Sequence, residues 1–548
     1  MTSSRALPFL CLGAAILTAC GEGTGPSSRV VDCSTVSPTV LAVGEHTIID
    51  AAAVGCVQLP AAGASGAEHL YVALSGQGVE VRDGITAGYE LTVTPASAAT
   101  AGSRIQASRA PVESGATSRF HDRIRSLERE LVARTAGARP APAASRAAAE
   151  PPAVGHQRTF KVCETAECDD FVDVAGTARV VGERVAIYLD DAAPAGGYSE
   201  EDLLRVGGLF DNYLHPIDTT AFGSESDLDG NEVVVVLLTA QVNNLRPNCN
   251  TTGNIVVGYF YGLDLLPDRS NSNGGEVFYG LVPEPDNPTC TTSREEAIVY
   301  LPSVFAHEFM HMIGFNQGVL ERGARRVEQT WLDEGLAHFA EELAGRQVPD
   351  AECQPSFDNC ETQFIEENLG NAQLYLEDPE ATFLIQPDTS TGELSERGAN
   401  WLFVRWLADH YAGTQPLGAE LTRALVQTTL RGSANVEAFT GESFDDLVAR
   451  WQLANYLEDL PGFTPADETL QYSSWAFREA YLPYPLEPDS TETGAYSRAG
   501  TLRGGSGRHL RIIQPGSAAP VTLRLTRDDG DSALSDDAEP RVALIRIR

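Results

Sequence analysis

Lys161 is the only lysine in 548 residues, so arginine carries almost all of the positive charge. Basic residues are also outnumbered, 39 Lys and Arg against 76 Asp and Glu, for a formal net charge of −37. A surface of that sign repels phosphate backbones and anionic lipid headgroups, which argues against nucleic acid as a partner and against electrostatic membrane binding. Methionine is nearly as scarce: Met1, Met310 and Met312 are the full set. Beyond the N-terminus no apolar run approaches the length of a membrane span; Val233 to Leu238 has the length of a buried strand. No cysteine pair has the two-residue spacing of a zinc knuckle, so a thiolate metal site is not expected. What is present is enough for packed cores, with 43% apolar residues, and the length calls for more than one folded unit.

The N-terminus reads as a targeting segment. Arg5 precedes an apolar stretch, Ala6 to Ile16, that ends in Leu17-Thr18-Ala19-Cys20. Small residues before a cysteine resemble the lipobox of bacterial lipoproteins, which implies a signal peptide over 1–19, lipid on Cys20 and a flexible tether over 20–29. The expected location is therefore the bacterial cell envelope outside the cytoplasm, at the outer membrane or cell surface, with the lipid as the only membrane contact. Cysteine usage agrees. Cys11 leaves with the signal and Cys20 carries the lipid, and the rest form an even set in close neighbours: Cys33 and Cys56, Cys163 and Cys168, Cys249 and Cys290, Cys353 and Cys360. Neighbour pairing as disulfides is expected in an oxidising compartment.

Alternating apolar and polar residues over 30–98, as in HLYVAL (69–74) and YELTVTP (89–95), predict a small β-sandwich. Residues 99–157, rich in Ala, Arg and Pro, read as a linker; within it Phe120, Ile124, Leu127 and Leu131 recur at helical spacing and predict one amphipathic helix. From 158 to 300 the pattern is α/β: a hairpin over 178–191, a helix beginning at Ser199, and strands at 232–238, 256–263 and 276–282. Helices dominate 301–464, and 465–548 returns to short β runs. The fold class is α+β.

The chemistry is concentrated in Phe305-Ala306-His307-Glu308-Phe309-Met310-His311. His307 and His311, four apart, share one helix face about a turn apart, so one metal ion can bind both imidazoles, and Glu308 beside them is placed to act as general base. A catalytic zinc needs a third protein ligand and an open position. A histidine six residues after His311 would signal one class, but that position is Gln317, and the downstream methionine of that class has no counterpart here. In Trp331-Leu332-Asp333-Glu334-Gly335-Leu336-Ala337-His338-Phe339-Ala340-Glu341, by contrast, Glu334, His338 and Glu341 lie on one helical face, and the 22 intervening residues leave room for an antiparallel return. Glu334 is the expected third ligand. His338 and Asp333 are expected behind the ligands, with His338 the runner-up ligand.

These segments resemble the hyicolysin family of bacterial extracellular zinc metallopeptidases, within the wider gluzincin clan. The resemblance rests on HEFMHMIGF and TWLDEGLAHFAEE, with softer matches at 227–238 and 396–411, and covers roughly 160–460. It implies a small twisted sheet over the zinc-binding helix, a helical lower lobe, Zn2+ on His307, His311 and Glu334, and protein or peptide substrates. There are departures. Where clan members have Asp four residues after the ligand Glu, this chain has His338; the upstream substrate motif of the aminopeptidases is absent; and the position of their transition-state tyrosine is Ser395. The oxyanion donor is thus open among Tyr411, His410, Tyr375 and Arg397. Asp227 to Glu232 (DLDGNE) admits Ca2+ but reads better as a turn feeding a strand. The reading that follows is a lipid-anchored metalloendopeptidase, with a catalytically impaired envelope binding protein on a peptidase scaffold as the alternative.

Overall fold

A computed structural model describes residues 29–96, 103–106, 116–135, 150–246, 248–252, 255–266, 269–492 and 495–548. The expected signal peptide, the expected lipid site Cys20 and all of the expected tether but Arg29 lie outside these. The chain is α+β, with a β-sandwich, an α/β upper lobe and a helical lower lobe. Among the described residues no helix is long and apolar enough to cross a membrane.

The sandwich corrects the expected domain order. Its strands come from both ends of the chain: β1 (His46–Asp50), β2 (Cys56–Leu59), β3 (Ala67–Ser75), β4 (Thr86–Pro95) and β5 (Ser103–Gln106) from one end. The upper lobe supplies β6 (Gln157–Cys163), β7 (Phe171–Val181), β8 (Val185–Asp190), β9 (Val234–Leu238), β10 (Gly258–Phe260) and β11 (Val277–Gly280). The sandwich then resumes with β12 (Asp489–Glu492), β13 (Tyr496–Arg503), β14 (Gly507–Gln514), β15 (Val521–Arg527) and β16 (Pro540–Arg546). One sheet runs β1-β16-β3-β14-β12 and the other β2-β15-β4-β13-β5. The separate N-terminal sandwich (30–98) and C-terminal β region (465–548) are therefore one body. The physical reason is edge satisfaction. β3 is flanked on both sides by C-terminal strands, and so is β4, so neither half closes its own ladders. β3 is buried along its whole length. Leu70, Val72 and Leu74 pack with the helical lobe, while Tyr71 and Ala73 fill the sandwich core.

The upper lobe is a six-stranded sheet in the order β10-β11-β9-β8-β7-β6. β9, read from EVVVVLL, is buried on both faces: Val234, Val236 and Leu238 point to the lower lobe, and Val233, Val235 and Leu237 to the outer core. Among the described residues β10 stands at the edge, paired only with β11 through Gly258–Gly280 to Phe260–Phe278. Of the two strands predicted over 256–263 and 276–282, the first therefore supplies the sheet edge and the second lies inside the sheet. The expected linker helix is α1 (Ala116–Thr135), and Ser199 caps α2 (Glu200–Leu209) through a reciprocal pair with Asp202. Four neighbour disulfides form, Cys33–Cys56, Cys163–Cys168, Cys249–Cys290 and Cys353–Cys360, as the spacing predicts.

The lower lobe is built on α3 (Arg294–Phe315), α4 (Thr330–Gln347), α5 (Cys360–Glu377), α6 (Leu394–Tyr411) and α7 (Phe444–Leu457). α3 starts at Ser293, whose hydroxyl accepts the Glu296 N–H while the Glu296 carboxylate accepts the Ser293 N–H. Pro302 sits inside α3 and cannot donate to the turn behind it. Side chains from the neighbouring segment cover that turn: Gln363 Nε2 donates to the Val299 carbonyl at 3.1 Å, and Gln354 Nε2 reaches the Ile298 carbonyl at 3.5 Å.

Candidate metal centre

α3 and α4 bring His307, His311 and Glu334 together, each almost fully buried. The two Nε2 atoms are 3.2 Å apart; Glu334 Oε2 is 3.5 Å from His307 Nε2, and Glu334 Oε1 is 3.9 Å from His311 Nε2. Donor atoms on one tetrahedral zinc at about 2.1 Å stand roughly 3.4 Å from one another, so the three face a common point at fitting separations. Glu334 Oε2 is buried without a hydrogen bond, a costly state for a carboxylate that a cation relieves. The residues therefore fit a zinc ion.

Carboxylates stand behind both imidazoles. His307 Nδ1 is 2.6 Å from Glu341 Oε1, and His311 Nδ1 is 3.0 Å from Asp333 Oδ2. The bond to Glu341 fixes the His307 ring with its Nε2 turned to the common point, and Asp333 stands beside His311 as an ion-pair partner. His338 stacks edge-on to His307 at 4.7 Å and reaches Glu341 at 3.4 Å through Nδ1. His307, His338 and Glu341 form a second possible grouping, but Glu341 in it is already engaged by His307 Nδ1. Glu341 was visible in the sequence only as a position on the ligand face; its partner was not.

The charges are tightly coupled. Burial works to lower the pKa of His307, but Glu334 and Glu341 on either side raise it to about 10. Burial likewise works to raise Glu334, and Arg397, then His307 and His311, hold it well below the ordinary carboxylate value. Such a surplus of carboxylate around two imidazoles makes a cation the favoured occupant.

Glu308 lies beside this cluster, 2% exposed. Its Oε2 accepts the Phe260 N–H of edge strand β10 at 2.9 Å and the Arg125 guanidinium of α1 at 3.1 Å. Burial would raise its pKa; Arg125, then His311, His307 and His121, bring it below the usual value. Arg125, His121 and Glu128 are the residues that the sequence reading missed. Their signal was available: they recur at i, i+4 and i+7, on a stripe beside the apolar one of the same helix.

The oxyanion candidates separate. Arg397 joins the cluster, with Nη1 3.9 Å from Glu334 Oε2. The other three are held elsewhere. The Tyr411 hydroxyl donates to Glu442, His410 pairs with the Gln471 carbonyl, and the buried Tyr375 hydroxyl accepts from Gln452 and Asn455. Asp227, Asp229 and Glu276 also gather, but the carboxylate of Asp229 is turned back onto Asn231 and that of Asp227 onto the Glu232 N–H, the bonding of a turn.

No family model matches the chain. Over 145 residues it is 33% identical to the neutral metalloprotease ShpI of Staphylococcus hyicus, a stretch that makes up 26% of this chain and 31% of that one. The match thus spans about a third of that relative. Two crystal structures of an M1 zinc metallopeptidase from Deinococcus radiodurans, one a mutant bound to a Tyr-Ser-Ala substrate, align at 15% and 13% identity. They cover 54% and 55% of this chain and 51% and 61% of theirs, each with a TM-score of 0.28, a likeness too slight to carry an argument.

Proposed function

We propose that this protein is a zinc metalloendopeptidase, anchored by lipid at Cys20 on the outer side of a bacterial membrane, that hydrolyses peptide bonds of proteins or peptides. The observation that carries the reading is the convergence of His307, His311 and Glu334 at zinc-ligand separations, with Glu308 next to them and bonded to an edge strand. The match to a neutral metalloprotease supports it.

Bound to these ligands, zinc supplies a Lewis acid that acidifies water and polarises a carbonyl. Glu308 takes a proton from a water lying between it and the ligand cluster, and returns it to the departing amine. β10 forms the edge of the upper sheet beside Glu308, which already accepts the Phe260 N–H, and an extended peptide would align along that edge. Glu341 and Asp333 keep the imidazoles oriented through the cycle. Arg397 holds Glu334 ionised.

The test is metal analysis with a casein assay, on the intact chain and after limited proteolysis. One zinc per chain and chelator-sensitive, metal-restored hydrolysis are expected. Glu308→Gln retains the zinc and loses hydrolysis, because the amide fills the same space without accepting a proton. Turnover in the zinc-loaded Glu308→Gln variant would refute the assignment of the base.

A further inference from the structure

Helix α1 has no role in the chemistry above, yet it touches the general base. Its two neighbouring stripes divide the work. Phe120, Ile124 and Leu131 join the outer core of the upper lobe, with Phe120 edge-on to Tyr259 at 4.9 Å. The adjacent stripe enters the cleft. Arg125 places Nη2 3.1 Å from Glu308 Oε2 and pairs through Nη1 with both oxygens of Glu128, at 3.1 and 3.0 Å. Glu128 Oε1 in turn accepts the Gly262 N–H at 2.5 Å. The guanidinium and the Glu128 carboxylate are each at least nine-tenths buried.

Two resources that hydrolysis requires are consumed by these contacts. A general base must offer a lone pair to water, and one carboxylate oxygen of Glu308, Oε2, is already shared between a permanent cation and the Phe260 N–H. An extended peptide must reach the N–H groups beyond β10, and Gly262 N–H is capped by a carboxylate of the chain itself. α1 is also fastened to both walls of the cleft. Arg123 donates to the Glu167 carbonyl at 2.9 Å on the upper lobe, and Arg129 Nη1 donates to Thr330 Oγ1 at 3.1 Å at the start of α4. Asp122 accepts the Thr391 hydroxyl at 2.7 Å and its N–H from the lower lobe.

We propose that α1 is an inhibitory strap: Arg125 occupies Glu308 and Glu128 occupies the Gly262 N–H just beyond the edge strand, so the zinc-loaded chain is latent until the helix is displaced or cut out. This rests on the peptidase reading and adds its control. The strap lies in a stretch joined on both sides by Ala-, Arg- and Pro-rich sequence, from 97 to 115 and from 136 to 149, so hydrolysis of one peptide bond on each side frees it.

The experiment uses the full chain with a site-specific protease sequence substituted at 107–113 and at 138–144. Zinc content, hydrolysis of an internally quenched peptide and binding of a fluorescent peptide of residues 116–135 are read before and after cutting. Cutting is expected to raise hydrolysis at least tenfold at unchanged zinc. The added helix peptide then binds by anisotropy and restores latency, while its Arg125→Ala form is at least tenfold weaker on both counts. In the uncut chain, Arg125→Ala raises hydrolysis, since it frees the base; were α1 a working part of the catalytic cleft, the same change would lower it. Equal turnover before and after cutting, or a fall on Arg125→Ala, overturns the strap and leaves the peptidase intact. A cut, zinc-loaded chain that binds the helix peptide but hydrolyses nothing overturns the peptidase reading itself, and with it the inhibitory role.

Discussion

A histidine ligand is only as good as what stands behind it. Glu341 holds His307 Nδ1 at 2.6 Å and is kept ionised, its pKa at about 2, by His338 and His307 in spite of burial. Glu341→Gln keeps the shape but loses the charge, and zinc affinity should fall about 10- to 100-fold in chelator competition. Asp333→Asn should cost less, because Asp333 is partly exposed. His338→Ala should keep most of the zinc; complete loss of metal there, with retention in Glu334→Ala, would exchange their roles. A different residue reports on pH. Asp264, buried after β10, accepts from the Tyr279 hydroxyl and the Asn273 N–H, yet burial still raises its pKa from 3.8 to about 7. The folded state therefore favours the protonated acid. Its contribution is whole below 3.8 and is lost as pH rises through 7. Denaturant melts from pH 4 to 7 should show Asp264→Asn gaining on the wild type as pH rises; a gap that stays constant would rule this out. At this scale the sequence was informative where the chemistry is local. His307, Glu308, His311 and Glu334 follow from helical spacing within two segments. Arg125 on Glu308 did not, because that contact joins residues 183 positions apart and no periodicity encodes it.

Among elements, the clamp ahead of the metal helix is open to test. Cys249–Cys290 closes a loop spanning 41 positions that contains β10 and β11, whereas Cys353–Cys360 closes one of only 7. A bond across the longer loop typically contributes about 2–4 kcal/mol, largely by restricting the unfolded chain. Thermal melts should therefore show a larger loss for Cys249→Ala than for Cys353→Ala, and mild reduction should leave bound zinc in place, since among the described residues the candidate ligands are His307, His311 and Glu334. Metal lost on reduction would contradict the ligand set. Elements were legible in proportion to how much local pattern they carry. The Ser199 cap, the hairpin of β7 and β8 and the strand EVVVVLL were readable. β10 came out shorter than its apolar run because the chain turns into a 3-10 segment at Gly262, where a side chain would meet Phe315 at 2.6 Å.

For the molecule as a whole, the pairing of the two chain ends was not visible in the sequence. Strand alternation over 30–98 and again over 465–548 identifies β structure in each, but register partners more than 400 residues apart leave no mark on either. A consequence is that truncation after residue 464 should not yield a clean catalytic fragment. It strips β3 of β14 and β16 and β4 of β13 and β15, and it uncovers Tyr71, Ala73, Leu91 and Val93, which pack against those strands in the sandwich core. Aggregation or loss of cooperative melting is the expected result, and a soluble, folded, zinc-binding 1–464 fragment would count against it.

The shared sandwich also decides what processing can release. A cut between 97 and 102 severs the backbone but none of the ladder bonds that hold β3 and β4 between C-terminal strands. The two pieces should travel together in gel filtration and part only in denaturant. An acyl chain on Cys20 belongs to the first piece and the metal ligands to the second. On the proposed reading, processing on both sides of α1 would be a change without shedding: the metal-ligand piece would stay joined to the lipidated piece, with sheet cohesion doing the work of the lost peptide bond.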